Sequence, residues 1–431
     1  MLKDGMLQGE LFKPLTRDER QAQAIQAWKQ AKGRATIVGC TGFGKTRLAI
    51  KIIAGLKKSK ADLHTIVLVP TTTLKEQWEQ ELDEWGLGFN TEVYVMMGAS
   101  KKHYDCDLLI IDEAHRVSSE VLSANLVNTS YKFILGLTAT FERLDGRHEI
   151  LAKYAPVCDT ITMEDALFNG WVTKYKDYVV IINVPNIDIY QEYNSEFNKA
   201  YEFFNWDFNK AMSMAGKDGF KHRWEYAKEL APDSYEHQKE MLKTITYYST
   251  SFMRSMQNRK KFVQNHPMKL AIAEEIIKWR NDKKIVTFSA NVKMAEAIKE
   301  GYVYTGKEGK KKNRITLEEF SKLSSGVLNS CKMAIEGLNL PDLSVGIQLG
   351  IDSSKTKAIQ SLGRVVRLSK GKLGVEFFTL VINNTVETKW MQNAKADSAV
   401  EIIDVPNLMK VLKGEPYELY NRKLNNYTFR F

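Results

Sequence analysis

The chain has 431 residues, 44% of them hydrophobic, and its formal net charge is +10. This length favours two or three domains, and the apolar fraction is ample for buried cores, which excludes a disordered chain. The positive charge suits a polyanionic partner, nucleic acid first, although simple solubility accounts for such an excess equally well.

The cysteines and the apolar runs indicate the compartment. The sequence holds four cysteines and no C-x-x-C pair, so it predicts neither a zinc site nor a disulfide framework. Reduced thiols fit a cytoplasmic protein. No apolar run approaches the roughly 18 residues of a membrane span, and residues 1–5 lack a signal-peptide core. We therefore expect a cytoplasmic protein without a membrane partner.

Residues 34–140 alternate short apolar runs with stretches of helical periodicity. Short buried strands separated by helices predict a parallel sheet covered on both faces. The strands are expected at 35–38, 65–69, 108–111 and 133–137, and the helices at 46–56 and 74–85.

The segment from Gly39 to Thr46 fits the phosphate-binding pattern G-x-x-x-x-G-K-[ST] between a strand and a helix. Backbone amides of such a loop wrap the phosphates of ATP, and the helix N-terminus adds its dipole. We expect Lys45 to reach the β- and γ-phosphates and the Thr46 hydroxyl to hold Mg²⁺. The ATP-binding residues predicted in the loop are Gly39, Cys40, Thr41, Gly42, Phe43, Gly44, Lys45 and Thr46.

An acidic pair, Asp112 and Glu113, follows the apolar run 108–111. The pair therefore lies at the carboxyl end of a predicted strand, where parallel sheets bind ligands. We expect Asp112 to take the second side of the Mg²⁺ shell, and Glu113 to position and deprotonate the attacking water. A plain surface acidic pair is the alternative.

Strand signals vanish between about residue 186 and residue 265. Aromatic and methionine residues recur there at steps of three or four, which predicts two long amphipathic helices, broken at 216–219 and near Pro232. Aromatic residues at that spacing favour a small core over a base-stacking surface, for which Trp206 is the better candidate.

The α/β pattern returns near residue 284, with strands expected at 285–288, 326–328 and 344–348 and a last pair of strands at 372–382. We therefore predict two tandem α/β domains with parallel sheets and a helical insertion between them. The predicted boundaries are 1–185 for the first domain, 186–265 for the insertion and 266–431 for the second domain.

Two basic segments are candidate DNA contacts. One is Arg259-Lys260-Lys261, and the other is a predicted loop that contains Lys310, Lys311 and Lys312. Phosphate contacts need only charge and reach, but a solvated lysine face has equal weight.

Arg364 and Arg367 lie one helical turn apart in the predicted second domain. Guanidinium groups match phosphate oxygens and stabilise charge on a transferring phosphoryl group. Gln360 precedes the pair, and Gly363 permits a close approach. Together with the phosphate loop, the arginines predict two domains that close on one ATP.

Taken in order along the chain, these segments resemble the motifs of superfamily 2 helicases, whose two domains are RecA-like. The resemblance implies that Gln21 reads the adenine, and that Gly337 and Gln360 lie at the ATP site. It also implies that His115, Thr138 and Thr140 couple the ATP state to the nucleic acid. The backbone contacts that it implies are Pro70, Thr71, Thr72, Gln77 and Ser289.

Asp112 to His115 has the DEAH form, and the segments 137–143 and 336–341 are similar to the DNA-directed branch, which includes XPB-like and phage UvsW-like branch-migration helicases. The implied protein uses ATP and Mg²⁺ to unwind or remodel single-stranded, forked or branched DNA in recombination, repair or replication. It would act as a monomer in a bacterial or phage-infected cytoplasm. An RNA helicase stays open, as does a P-loop kinase or metabolic NTPase without a polymer partner.

Overall fold

A computed structural model describes residues 13–113, 119–139, 148–216, 219–331, 340, 342–351, 361–369, 371–395 and 399–420. Within those residues the chain forms two compact units. The first holds the described residues of Met1–Lys176, Ile335–Ser344 and Thr356–Glu376, and the second holds the remainder.

The first unit is built on a sheet of six strands, all paired in parallel. The strands are β1 (Arg34–Gly39), β2 (Thr65–Val69), β3 (Thr91–Val95), β4 (Tyr104–Asp112), β5 (Thr129–Thr138) and β6 (Val157–Ile161). Their order across the sheet is β3-β2-β4-β5-β1-β6. The helices around it are α1 (Arg17–Gln30), α2 (Lys45–Lys57), α3 (Thr72–Glu84), α4 (Met96–Ala99), α5 (Ser119–Val127), α6 (His148–Tyr154) and α7 (Met163–Phe168).

The inner strands of this sheet are apolar because both faces are covered. All of β2 is buried, and so are residues 108–112 of β4. The four strands expected between 34 and 140 are confirmed. Strand β6 escapes prediction because it is short, Asp159 and Thr160 interrupt its apolar residues, and only Ile161 of it is buried.

Three strand ends meet at the carboxyl edge of the first sheet. Asp112, which ends β4, pairs with Leu137 of β5, and Thr138 of β5 pairs with Val38 of β1. The loop after β1 and the acidic pair after β4 therefore lie on either side of the end of β5, at the edge where such sheets bind ligands.

Helices fill the chain from residue 187 to residue 264, in four segments rather than the two predicted. They are α8 (Ile187–Phe203), α9 (Phe208–Ala215), α10 (Gly219–Leu230) and α11 (Tyr235–Gln264). The additional break occurs where Asn205 and Trp206 adopt positive φ angles of 53° and 60°. Asp207 then caps α9 by accepting a hydrogen bond from the Lys210 N–H at 2.9 Å. Asn and Asp side chains favour turns and helix caps over helix interiors, so they can end a helix that periodicity alone would continue.

The aromatic stripe of these helices forms a core, as the spacing predicts. Phe204 and Phe252 are fully buried, and Phe197 stacks on Phe252 with ring centroids 5.0 Å apart. Trp206 lies off the stripe and is 37% exposed.

The second unit is built on a sheet of seven strands. They are β7 (Tyr175–Ile182), β8 (Lys284–Ser289), β9 (Tyr302–Tyr304), β10 (Gly326–Cys331), β11 (Val345–Gln348), β12 (Val375–Ile382) and β13 (Glu401–Asp404), in the order β13-β7-β12-β11-β8-β10-β9. The pairs β13–β7, β11–β8, β8–β10 and β10–β9 are parallel. The helices are α12 (Pro267–Trp279), α13 (Val292–Ala297), α14 (Gly309–Lys322), α15 (Val386–Ala394) and α16 (Val405–Lys413).

Strand β7 corrects the predicted boundary at residue 185. It precedes the insertion in sequence but pairs in the second sheet, because its apolar side chains join the core beneath α12. The predicted pair of strands at 372–382 is the single strand β12.

A buried ion pair fixes α12 to α15. Lys269 Nζ lies 2.6 and 2.7 Å from the two carboxylate oxygens of Glu387 and donates to Leu349 O at 2.9 Å. Both side chains are fully buried, and burial lowers the pKa of Lys269. Among the helices that the structure describes, none combines the length and the apolar character that crossing a membrane requires.

Candidate ATP site

The phosphate loop joins β1 to α2. Gly42 and Gly44 have φ angles of 90° and 86°, in the left-handed region that favours glycine. The Cys40 N–H donates to Ile161 O at 3.0 Å, and the Phe43 N–H donates to Cys40 O at 3.3 Å. Burial raises the pKa of the Cys40 thiol to about 11, which keeps it neutral. The loop and the N-terminus of α2 thus form the type of site that binds phosphate.

Lys45 connects this loop to the acidic pair. Its Nζ donates to Gly39 O at 3.0 Å and lies 3.7 Å from Glu113 Oε1. The structure therefore brings together Lys45 and Glu113, which the sequence placed in the same reaction from two separate motifs.

Gln21 lies against the phosphate loop and is fully buried. Its Nε2 donates to Phe43 O at 3.0 Å and to Gly44 O at 3.2 Å, while its Oε1 accepts from Lys51 Nζ at 2.8 Å. The Gln21 side-chain amide therefore fixes the backbone of the phosphate loop at Phe43 and Gly44. Its role as the adenine reader stays a prediction.

The acidic pair ends β4 in two different environments. Asp112 is buried, and Trp78 Nε1 donates to its Oδ2 at 2.9 Å. Burial and the neighbouring Glu113 charge raise the pKa of Asp112 to about 6. Glu113 adopts a φ of 50°, and its N–H donates to Leu137 O at 2.9 Å. A positive φ at a non-glycine residue stores strain, and such strain clusters at functional sites.

The donors at this edge fit a magnesium ion. Asp112 Oδ1 is buried and has no hydrogen-bond partner within the described part of the chain. Thr46, a half-buried residue in the first turn of α2, supplies a hydroxyl. Carboxylate and hydroxyl oxygens, completed by phosphate and water, are the ligands that Mg²⁺ takes beside a nucleotide. Thr46 and Asp112 would hold the ion.

Thr138, expected to couple the ATP state to the polymer, is buried at the end of β5 between the loop and the acidic pair. That position suits the expected role. The other predicted residues of this group, His115 and Thr140, lie outside the described residues, as do Gly337 and Gln360.

The arginine segment belongs to the same compact unit as the phosphate loop. Residues 361–365 are helical, and a Cβ added to Gly363 would lie 2.3 Å from Thr41 Cβ. Only glycine therefore allows this approach to the loop. Arg364 and Arg367 are half-buried, and burial lowers the pKa of Arg367. The backbone of Gly363, the residue before Arg364, thus lies against Thr41 of the phosphate loop.

Two residues outside the predicted set hold the end of that segment. The Thr173 N–H donates to Val366 O at 2.8 Å, and the Thr173 hydroxyl donates to Arg367 O at 3.2 Å. Lys372 Nζ donates to Arg367 O at 2.9 Å and also to Val365 O. Burial lowers the pKa of Lys372 to about 8. Sequence offers no signal for these contacts, since all of them are accepted by backbone carbonyls, which every residue carries.

The predicted nucleic-acid contacts divide into accessible and buried residues. Pro70, Thr71 and Gln77 are half-buried, and Thr72 is exposed. The Thr71 hydroxyl accepts from the Leu74 N–H at 3.3 Å and so caps α3. Ser289 is fully buried at the end of β8, so the structure does not place its side chain at a surface.

The lysine-rich stretch 310–312 is a helix rather than the predicted loop. It forms the first turn of α14, because Thr316 and Phe320 bury one face of that helix. Lys312 pairs with Glu308, whereas Lys311 is exposed. The Lys310 side chain lies outside the described residues.

Two family models match the chain. The model described as type III restriction enzyme, res subunit, matches residues 15–103 and 96–143, and the helicase conserved C-terminal domain matches residues 268–369. The chain belongs to superfamily 2 of the helicases. Its enzymatic class is therefore an ATP-hydrolysing helicase, and the P-loop kinase alternative falls away.

Individual proteins agree with this assignment. The chain is 28% identical over 382 residues to the DNA 3'-5' translocase XPB2 of Sulfurisphaera tokodaii, covering 82% of this chain and 80% of that protein. The Pyrococcus furiosus Hef helicase domain shares its fold with a TM-score of 0.51 at 16% identity, covering 89% of this helicase and all of that chain. Saccharomyces cerevisiae Dbp5, solved with RNA and ADP BeF3, gives 0.56 at 12% identity and covers 91% of each chain. Both structures confirm the two tandem RecA-like α/β domains.

Proposed function

We propose that this helicase uses ATP to translocate on DNA and to unwind or remodel forked and branched DNA. The observation that carries the proposal is the seating of Gly363 on Thr41, which brings the arginine segment to the phosphate loop. The assignment of DNA as the polymer is supported by the similarity to a DNA translocase over 82% of the chain, and by the net charge of +10.

In the proposed reaction, water attacks the γ-phosphorus of ATP and the bond to the β–γ bridging oxygen breaks. Glu113 orients the water and accepts its proton. Lys45 and the arginines Arg364 and Arg367 stabilise the charge on the phosphoryl oxygens. Thr46 and Asp112 would hold Mg²⁺, which would supply positive charge against the phosphates.

The finer assignment follows the sequence resemblance. We infer a DEAH-type enzyme of the XPB-like and phage UvsW-like branch, acting as a monomer in recombination, repair or replication in a bacterial or phage-infected cytoplasm. A DNA strand would contact the accessible residues at the start of α3, Pro70 to Thr72, and the exposed Lys311 of α14. Both positions offer charge or hydrogen bonds to a sugar-phosphate backbone.

The helices α8–α11 are the candidate surface for a second duplex. Of the basic cluster on α11, Arg259 packs inward: its guanidinium carbon lies 4.1 Å from the Phe197 ring centroid, and its Nε donates to Tyr190 OH at 3.4 Å. Lys260 and Lys261 are exposed. The two lysines, rather than the whole cluster, are therefore the residues that would hold phosphates.

The test compares polymers in one assay. ATP turnover and strand separation are measured with single-stranded DNA, a DNA fork, a four-way DNA junction and an RNA duplex of matched sequence. We expect DNA to stimulate turnover and forks or junctions to be resolved in an ATP-dependent manner. Stimulation by RNA alone would identify an RNA helicase instead, and equal turnover without any polymer would contradict the proposal.

A further inference from the structure

Trp78 contacts the acidic pair from a helix that the ATP motifs do not include. It lies on α3, is 1% exposed, and donates its indole N–H to Asp112 Oδ2 at 2.9 Å. Asp112 itself is only 4% exposed. A buried hydrogen bond to a carboxylate is short and strong, because no water competes for the donor.

The two carboxylate oxygens of Asp112 lie in different environments. Oδ2 is occupied by Trp78, whereas Oδ1 is buried and has no hydrogen-bond partner among the described residues. A carboxylate with one oxygen anchored has its rotation fixed, so the other oxygen keeps one direction. Outer contacts of this kind orient the groups that hold a metal.

The helix that carries Trp78 begins at the predicted nucleic-acid contacts. Thr71 caps α3, and Thr72 is its first residue. Trp78 lies six residues further along, which is roughly 9 Å at 1.5 Å per residue. A strand bound at the first turn of α3 would therefore lie fewer than two helical turns from the indole, on the same helix.

We propose that Trp78 is a positioning residue that aims Asp112 at the Mg²⁺ of the bound nucleotide and transmits to it the binding of a nucleic-acid strand at the start of α3. The transmission half rests on the proposed function. The positioning half requires only that the enzyme binds Mg²⁺ and nucleotide.

The experiment measures the affinity of a fluorescent ATP analogue by titration, with Mg²⁺ and with EDTA. Trp78→Phe keeps an aromatic ring and removes the donor. Replacing Trp78 by 3-benzothienylalanine, in which sulfur stands for the N–H, removes the donor while keeping the indole shape, and serves if Trp78→Phe fails to fold. Trp28→Phe is the matched control, because Trp28 is also buried in the first unit and donates its indole N–H to Ile134 O at 3.0 Å.

Mg²⁺ should raise the affinity of the wild type for the nucleotide, and we expect this increase to be about tenfold smaller in both variants at position 78. Their nucleotide affinity in EDTA should equal that of the wild type. The control Trp28→Phe should lower thermal stability to a similar extent and keep the full gain. A full gain in the Trp78 variants, or an equal loss in Trp28→Phe, would overturn the positioning role.

The proposed transmission from the start of α3 to Asp112 is tested by repeating the titration in the presence of single-stranded DNA. In the wild type, DNA should shift the affinity for the Mg²⁺-nucleotide, and the position 78 variants should lose that shift while still binding DNA. A shift that persists in these variants, or no shift in the wild type, overturns the transmission half. The Mg²⁺ comparison made without DNA stands independently, so failure of the proposed function is distinguished from failure of the positioning role.

Discussion

Lys45 and Glu113 lie 3.7 Å apart and have separate roles in the proposed chemistry. Lys45→Ala removes a cation from the phosphates, so we expect ATP affinity to fall about tenfold or more. Glu113→Gln keeps the shape but cannot accept a proton, so we expect ATP binding to persist while turnover falls roughly 10²- to 10⁴-fold. Equilibrium binding and steady-state hydrolysis measure the two effects. Turnover at the wild-type rate in Glu113→Gln would show that another group is the base.

Gly363 gives a second prediction at this scale. An added Cβ would lie 2.3 Å from Thr41 Cβ, so Gly363→Ala should push the arginine segment off the loop. A misplacement of about 1 Å can cost on the order of 10²-fold in rate. Adding Thr41→Gly removes the opposing atoms and should recover much of the ATPase activity. If the double variant is no more active than Gly363→Ala, the contact between these residues is not what the glycine serves.

At the residue scale the sequence predicted the residues of the proposed chemistry but not the side chains that hydrogen-bond to them. Lys45 and Glu113 follow from local motifs, because phosphate binding constrains neighbouring residues along the chain. The contact of Trp78 with Asp112 joins two separate elements, and a single sequence carries no sign of it. The same holds for Thr173 and Lys372, which bind backbone carbonyls of the arginine segment.

At the element scale, the basic cluster on α11 contains one residue that packs inward, Arg259, and two exposed residues, Lys260 and Lys261. We expect the double variant Lys260→Glu, Lys261→Glu to bind and unwind a fork more weakly than the wild type. The slope of its binding constant against salt concentration, on logarithmic axes, should fall by the amount expected for the loss of about one to two phosphate contacts. ATP turnover stimulated by single-stranded DNA should persist. Reversing Lys239 and Lys243 on the same helix is the control, and equal losses in the two double variants would argue against a specific duplex surface.

The ion pair between α12 and α15 predicts a pH-dependent stability. Glu387→Gln leaves the Lys269 amine buried without its counter-charge, which should cost roughly 3–5 kcal/mol of unfolding free energy at pH 7. Because burial lowers the pKa of Lys269, the unfolded chain binds more protons than the folded chain, so the free energy of unfolding rises with pH. The free energy that Glu387→Gln loses should therefore be smaller at pH 10 than at pH 7. Urea unfolding at both pH values measures it. The exposed pair Lys239–Glu236 supplies the control, since Glu236→Gln should change the free energy of unfolding by less than about 1 kcal/mol. If Glu387→Gln lost the same free energy of unfolding at both pH values, the account would be contradicted.

Periodicity predicted the elements better than their ends. The strands β1, β2 and β4 were predictable because both faces of the sheet are covered and each strand contains a short run of mostly apolar residues. The break at Asn205 and Trp206 was not, because left-handed residues leave the apolar spacing on either side intact. The placement of β7 in the second sheet depends on pairing with β12 and β13, which no local pattern encodes.

At the scale of the whole molecule, the central claim is that ATP hydrolysis at the edge of the first sheet drives the remodelling of DNA. Superfamily membership was predictable because its motifs occur in order along the chain. In the proposed function the polymer is recognised by surfaces such as the start of α3 in the first unit and the helices α8–α11 in the second, and such surfaces have no ordered sequence motif.

The most direct test is single-turnover unwinding of a DNA fork by the wild type and by Glu113→Gln, with the matched RNA fork in parallel. The account predicts that the wild type separates the DNA strands only when ATP is hydrolysed, and that Glu113→Gln binds ATP and the fork but leaves the strands paired. Strand separation by Glu113→Gln at the wild-type rate, or separation of the RNA fork alone, would contradict it.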